Sequence, residues 1–186
     1  MFERFTKDAR AVVHEAVAHA GREGARSVGA EHLLLALLDR EAGRASFALT
    51  ALGGDEGREV VRRALEEARR RAGLSQADTD ALAGLGIDVV EIVARVEETH
   101  GVGAMSGKGA DRRSRSGRPS FGRDAKEVLE KSLRIALARR ERYIGDEHLL
   151  LALTVRPGVP AEVLADLGVT HESVTRVLGG AGEACA

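Results

Sequence analysis

The chain has 186 residues, a formal net charge of −1, 44% apolar and 31% charged side chains, and only 3% aromatics, which suits a soluble globular protein with one good core or two small ones. The balanced charge gives no overall pull toward nucleic acid or anionic membrane, and no run of about 18 apolar residues is present to cross a bilayer. The N-terminus, MFERFTKDAR, is charged at once and has no apolar signal core, and the lone Cys185 has no partner for an internal disulfide; both fit a reducing cytoplasm.

Thr6 is placed to cap a first helix. Val12, Val13, Ala16, Val17 and Ala20 follow at the spacing of one apolar helical stripe. A second helix begins in VGAEHLLLALL, from Val28, with Leu33, Leu34, Leu37 and Leu38 as its apolar positions. The unit closes on Leu52-Gly53. Residues 54–80 read as an insertion containing a surface helix from Glu59, with Val60, Val61, Ala64, Leu65 and Ala68 on one face and Arg and Glu on the other. Residues 81–99, ALAGLGIDVVEIVARVEET, have a helix–Gly–helix cadence. Residues 101–120 are rich in Gly, Ser and Arg (Arg112, Arg113, Arg115, Arg118) and read as a flexible basic linker.

Then the chain repeats itself. At an offset of 116, Phe5 meets Phe121, Asp8 meets Asp124, Gly29 meets Gly145, and GAEHLLLALL meets GDEHLLLALT. The first-helix stripe returns as Val128, Leu129, Ser132, Leu133 and Ala136. By Leu167-Gly168 the offset from Leu52-Gly53 is 115, a one-residue loss near RPGVP. Leu52 and Leu85 both offer a match for Leu167, and Leu85 is favoured. Matching of this length is an internal duplication. It predicts an all-α, pseudo-two-fold bundle of about four helices per repeat, with residues 1–100 as the first repeat, 121–180 as the second, 181–186 as a tail, and both repeats in one domain.

Three motifs fail on spacing or charge. His14 and His19 in HEAVAH are five apart, about 140° around a helix, where a zinc helix needs four. GAMSGKG, from Gly103, lacks the spacing and the Ser/Thr of a phosphate loop, and no other ATPase motif follows. The would-be recognition helix in 81–99 carries Asp88, Glu91, Glu97 and Glu98 against Arg95, which a phosphate backbone repels. No metal, no cofactor and no catalytic constellation are expected. What remains is the repeated Glu-His: Glu31-His32 and Glu147-His148. The histidines suit packing or hydrogen bonding at a helix start. The glutamates suit function, since a carboxylate beside helix-start amides can hold a cation while the amides hold an anion.

The MFERFT opening, the paired EHLLLAL elements and FGRDAKEVLEKSLRIAL, from Phe121, resemble the N-terminal repeat domain of Clp ATPase chaperones, the ClpC type most closely, over about residues 1–53 and 81–178. The resemblance implies a non-catalytic, all-helical pseudo-dimer that receives substrates and adaptors for the ATPase ring and, through it, the Clp protease. It also implies phosphoarginine sites at Glu31 and Glu147, with Thr6 in the first site and Gly122 replacing the usual Thr in the second. A surface for cyclic peptide antibiotics is implied at Phe2, Arg10, Phe121, Lys126 and Glu130, although Phe5 and Phe121 also suit a core. If the chain is a whole protein without an ATPase module, the expected role is that of an accessory, competitor or sink; if it is part of a longer protein, it is the receiving domain. The alternative is a DNA-binding regulator using residues 81–99 or the basic linker.

Overall fold

Thr6 has extended backbone, and its Oγ1 accepts the Ala9 N–H at 3.1 Å, capping α1 (Lys7–Arg22) as its position requires. A computed structural model describes residues 2–71, 73–74, 76–101, 104 and 119–180. Most of the expected linker, with its four arginines, and the tail with Cys185 lie outside the described residues. So does the side chain of Phe2. The expected stripe packs inward: Val12, Val13, Ala16 and Ala20 are buried, and Val17 is partly so.

β1 (Ser27–Val28) leads into α2 (Ala30–Leu38), of which every residue except Glu31 is buried. Its counterpart α7 (Asp146–Val155) is buried from Asp146 through Leu153. Helices apolar nearly all round belong in the middle of a fold, and α2 and α7 pack on each other there. Each fully buried leucine contributes roughly 1.5–3 kcal/mol by leaving water, so Leu33, Leu34, Leu149 and Leu150 are principal sources of stability. Around them lie α1, α6 (Arg123–Ala138), α3 (Arg44–Arg70), α8 (Val159–Asp166) and α9 (His171–Gly180). The duplicated all-α bundle expected from the sequence is the architecture of the chain.

The helix α3 is two helices merged across Gly54, whose φ of 61° and ψ of −168° suit glycine alone. Its first part matches α8: both begin after a positive-φ glycine, Gly43 or Gly158, and both send one leucine, Leu49 or Leu164, into the core. Its second part matches α9, with Val61 and Leu65 buried where α9 buries Val174 and Leu178. The favoured pairing of Leu85 with Leu167 does not hold. Leu52 packs against the core as Leu167 does, whereas Leu85 is 77% exposed.

Residues 54–70 are thus packed, and arginines strap them down. Arg58 donates to the carbonyls of Leu38, Arg40 and Ser46 and to the hydroxyls of Ser46 and Thr50. It thereby satisfies acceptors left open at the end of α2. Arg62 pairs with Asp39, and Arg69 with Glu23. Beyond them, α4 (Gln76–Gly84) buries no residue, and α5 (Val89–His100) buries Val89 and Val93 only.

The repeats are also laced together by backbone. β1 pairs in parallel with β2 (Ser120–Phe121), setting Val28 opposite Phe121, and Phe5 bridges Ile144 in parallel. Since Phe5 corresponds to Phe121 and Val28 to Ile144, the second contact is the first one exchanged between repeats.

Candidate functional site

That exchange decides how the sites are built. Thr6 donates its N–H to the Ile144 carbonyl at 2.9 Å, and Gly122 donates to the Val28 carbonyl at 2.9 Å. The start of α1 therefore lies against the start of α7, and the start of α6 against the start of α2. Thr6 was expected in one site with Glu31. The structure places it instead in an open cleft of about 650 Å³ with Glu147, Asp146, Gly43, Arg44, Phe47 and Tyr143 among its lining residues. Gly122 belongs with Glu31. Each cradle draws on both repeats, and the sequence order of the motifs hides the crossing.

Within each cradle the Glu-His pair closes a helix start. Gly29 donates its N–H to His32 Nδ1 at 2.8 Å, and Gly145 to His148 Nδ1 at 2.9 Å. The histidine thus satisfies an N-cap amide as the Glu of a capping box does. The glutamate before it folds back over the same glycine, so closely that a Cβ at Gly29 or Gly145 would collide with its carboxylate. Glycine is needed there for space, since φ is −97° at Gly29 and −87° at Gly145.

Similar frames carry different electrostatics. Burial works against a charge on His32, but Glu23, 3.0 Å from Nε2, and Glu31, 3.1 Å from Nδ1, outweigh it and raise its pKa to about 9. A charged ring donates to both carboxylates and gives up the Gly29 bond. A neutral hydrogen bond is worth about 0.5–1.5 kcal/mol, roughly one pKa unit or less, so that loss opposes the rise without reversing it. Glu23 is lowered to about 2: burial pushes it up, and His32 and Arg69 prevail. Glu31 is lowered in the same way, against burial, chiefly by His32. His148, fully buried, has its pKa pushed down by that burial.

The carboxylates differ as well. Glu31 is 33% exposed, and its charged neighbour is His32; no arginine hydrogen-bonds it among the described residues. Glu147 is 5% exposed and accepts a hydrogen bond from Arg44 at 2.9 Å. Asp146 stands where the first repeat has Ala30. Its carboxylate accepts the Ala45 N–H at 3.1 Å, and burial with Glu147 alongside raises its pKa to about 6. In the other cradle the Ala30 N–H is taken by Asp124 at 2.7 Å. Some helix-start amides imagined as free for an anion are therefore already in use.

Glu141, Glu147 and His148 gather closely enough to suggest a metal site. The tautomer argues against it. His148 Nδ1 accepts an amide proton, so the neutral ring carries its own proton on Nε2. That Nε2 has no hydrogen-bond partner among the described residues, and it offers a donor where a metal needs a lone pair.

Of the expected peptide surface, Arg10, Lys126 and Glu130 are exposed on α1 and α6, while Phe121 packs against the core. Phe5 is buried. The acidic α5 keeps its one arginine, Arg95, on Glu91. Sequence reading missed Arg44, Asp146 and Glu23. The first two had a signal, since each breaks the repeat: Val159 answers Arg44, and Ala30 answers Asp146.

The Clp repeat N-terminal domain model matches residues 4–102 and 120–184. The chain is 29% identical over 184 residues to the negative regulator of genetic competence ClpC/MecB of Bacillus subtilis, covering 96% of this chain and 18% of that protein. It is 32% identical over 185 residues to the chloroplastic chaperone protein ClpC1 of Arabidopsis thaliana, covering 98% of this chain and 16% of that one. The chain thus spans less than a fifth of these relatives' length. Among solved structures, the N-terminal domain of the chaperone ClpD from Arabidopsis thaliana shares its fold at a TM-score of 0.50 and 19% identity, over 96% of each chain. Domains of this kind are non-catalytic protein-interaction modules, so the expectation of a binding protein rather than an enzyme stands. The two repeats, their crossed pairing and the matched family model together make this chain a member of the Clp repeat N-terminal domain family.

Proposed function

We propose that the chain is a receiving module of the Clp chaperone-protease system that recognises guanidinium-bearing protein segments, phosphorylated arginine foremost, through Glu31. The observation that carries this reading is the Glu31 carboxylate. It is ionised, one-third exposed, set at the first turn of α2, and hydrogen-bonded by no arginine among the described residues, Arg69 acting on it only at longer range. Such a carboxylate pairs a guanidinium through two charge-assisted hydrogen bonds. The facing first turn of α6 is capped by Gly122 without a side-chain acceptor and carries Asp124, whose carboxylate is held on the Ala30 N–H; the backbone amides of that turn supply the positive helix end for a phosphate. In this reading the module serves the Clp ATPase as accessory or competitor in the cytoplasm, and Arg10, Lys126 and Glu130 are the exposed positions at which cyclic peptide binding is to be sought.

Free phosphoarginine is expected to raise the melting temperature by binding the native state, and Glu31→Ala to abolish the rise. No shift in the unmutated protein removes phosphoarginine from the reading. Capture of Clp ATPase subunits, adaptors or arginine-phosphorylated proteins then tests the remainder.

A further inference from the structure

The Glu147 cradle already contains a guanidinium. Arg44 reaches it from the N-terminal turn of α3, in the opposite repeat, donating to Glu147 Oε1 at 2.9 Å and lying 3.7 Å from Glu141. The guanidinium sits on the one carboxylate that matches Glu31 in the duplication, and it leaves Glu147 5% exposed. The other repeat has Val159 at the equivalent start of α8, which has no guanidinium to offer. Arg44 is itself 50% exposed, so its long side chain can swing into solvent without unpacking the core. Phe47 and Tyr143, 52% and 61% exposed, line the same cleft and offer aromatic faces on which a guanidinium can stack.

We propose that Arg44 is a built-in occupant of the Glu147 cradle, so that Glu31 takes a guanidinium ligand directly and Glu147 takes one only when Arg44 is displaced. This rests on the guanidinium-binding reading given above. It makes the two halves of a duplicated domain unequal: one open site, and one held shut by a residue imitating the ligand. Coulomb attraction also keeps the occupant in place, because without Arg44 the buried Glu147 is left beside Asp146, and like charges in a shared site are disfavoured.

The test compares the unmutated chain with Arg44→Val, the residue repeat two uses at that place, and with Arg44→Gln should the first fail to fold by circular dichroism. Titration calorimetry with free phosphoarginine is expected to give one equivalent per chain before the change and two after it, returning to one when Glu147→Gln is added. Two equivalents in the unmutated chain, or one in both, overturns the proposal while leaving the function intact. If neither chain binds phosphoarginine, that ligand leaves the functional reading, and ethylguanidinium at millimolar concentration judges the occupant by itself. A rise in melting temperature that is larger in the Arg44 variant than in the unmutated chain, with the excess lost when Glu147→Gln is added, supports the proposal. No rise, or an equal effect on all three chains, overturns it.

Discussion

Thr6 is bonded through its N–H to the carbonyl of Ile144, a residue of the other repeat. That one contact joins the start of α1 to the segment leading into Glu147, and Gly122 and Val28 repeat it on the other side. Neither cradle is complete within one repeat. Duplication alone would allow two independent sites; exchange of the entering strands makes each site a product of the pair.

Thr6→Ala removes the N-cap of α1 and is expected to cost about 1 kcal/mol. Because Thr6 and Glu147 line one cleft, the effect should couple to Glu147→Ala and add independently to Glu31→Ala. Urea denaturation of the single and double variants measures both couplings. Coupling to Glu31 instead would return Thr6 to the site that its place in the sequence suggests.

A methyl group at Gly29 or Gly145 meets the following glutamate's carboxylate. Glu31 is free to swing outward, so Gly29→Ala should be mild, under about 1 kcal/mol. Glu147 is enclosed and held by Arg44, so Gly145→Ala should fall in the range of overpacking, about 1–3 kcal/mol. Adding Glu147→Ala should recover part of the second loss. Equal losses at the two glycines would show that the glutamates are equally free.

The leucine stripes and the 116-residue offset made the bundle legible, because helical period and repetition are properties of the sequence itself. The crossing was not legible. Pairing of segments as short as Ser27–Val28 and Ser120–Phe121 leaves no period to read. Leu52 and Leu85 precede glycine alike, and burial alone separates them. Arg44 looks in sequence like any charge opening a surface helix. Its difference from Val159 was visible, but the meaning of that difference depends on Glu147 standing within reach.

Leu65, in the packed part of α3, and Leu85 give a direct test. Leu65 is 2% exposed within the shared core, and Leu65→Ala should cost about 2–5 kcal/mol. Leu85→Ala, at an exposed turn, should stay within about 0.5 kcal/mol. Comparable losses would give residues 81–99 a share in the core that their exposure denies them. The measurement is the denaturation midpoint, with unchanged slope showing that both variants unfold from the same compact state.

The paired histidines should respond to pH in opposite ways. The carboxylates of Glu23 and Glu31 raise His32 to about 9. Its contribution to stability is therefore fully present below the unfolded value of about 6.5 and is lost as pH rises through about 9. Glu23, lowered to about 2, contributes fully above its unfolded value and loses that contribution as pH falls toward 2. His148 is lowered by burial, so its contribution is present above about 6.5 and declines as the unfolded chain takes up the proton at lower pH. Imidazole NMR should show His32 titrating above 6.5 and His148 below it. Glu23→Gln should move His32 downward and leave His148 in place. Removing the Glu23 charge also takes away the partner of Arg69, which stays charged throughout, so the same variant should lose stability on both sides of the His32 midpoint, and more below it than above it. A His32 that titrates at or below 6.5 in the unmutated protein would show that the amide of Gly29, rather than the two carboxylates, governs the ring.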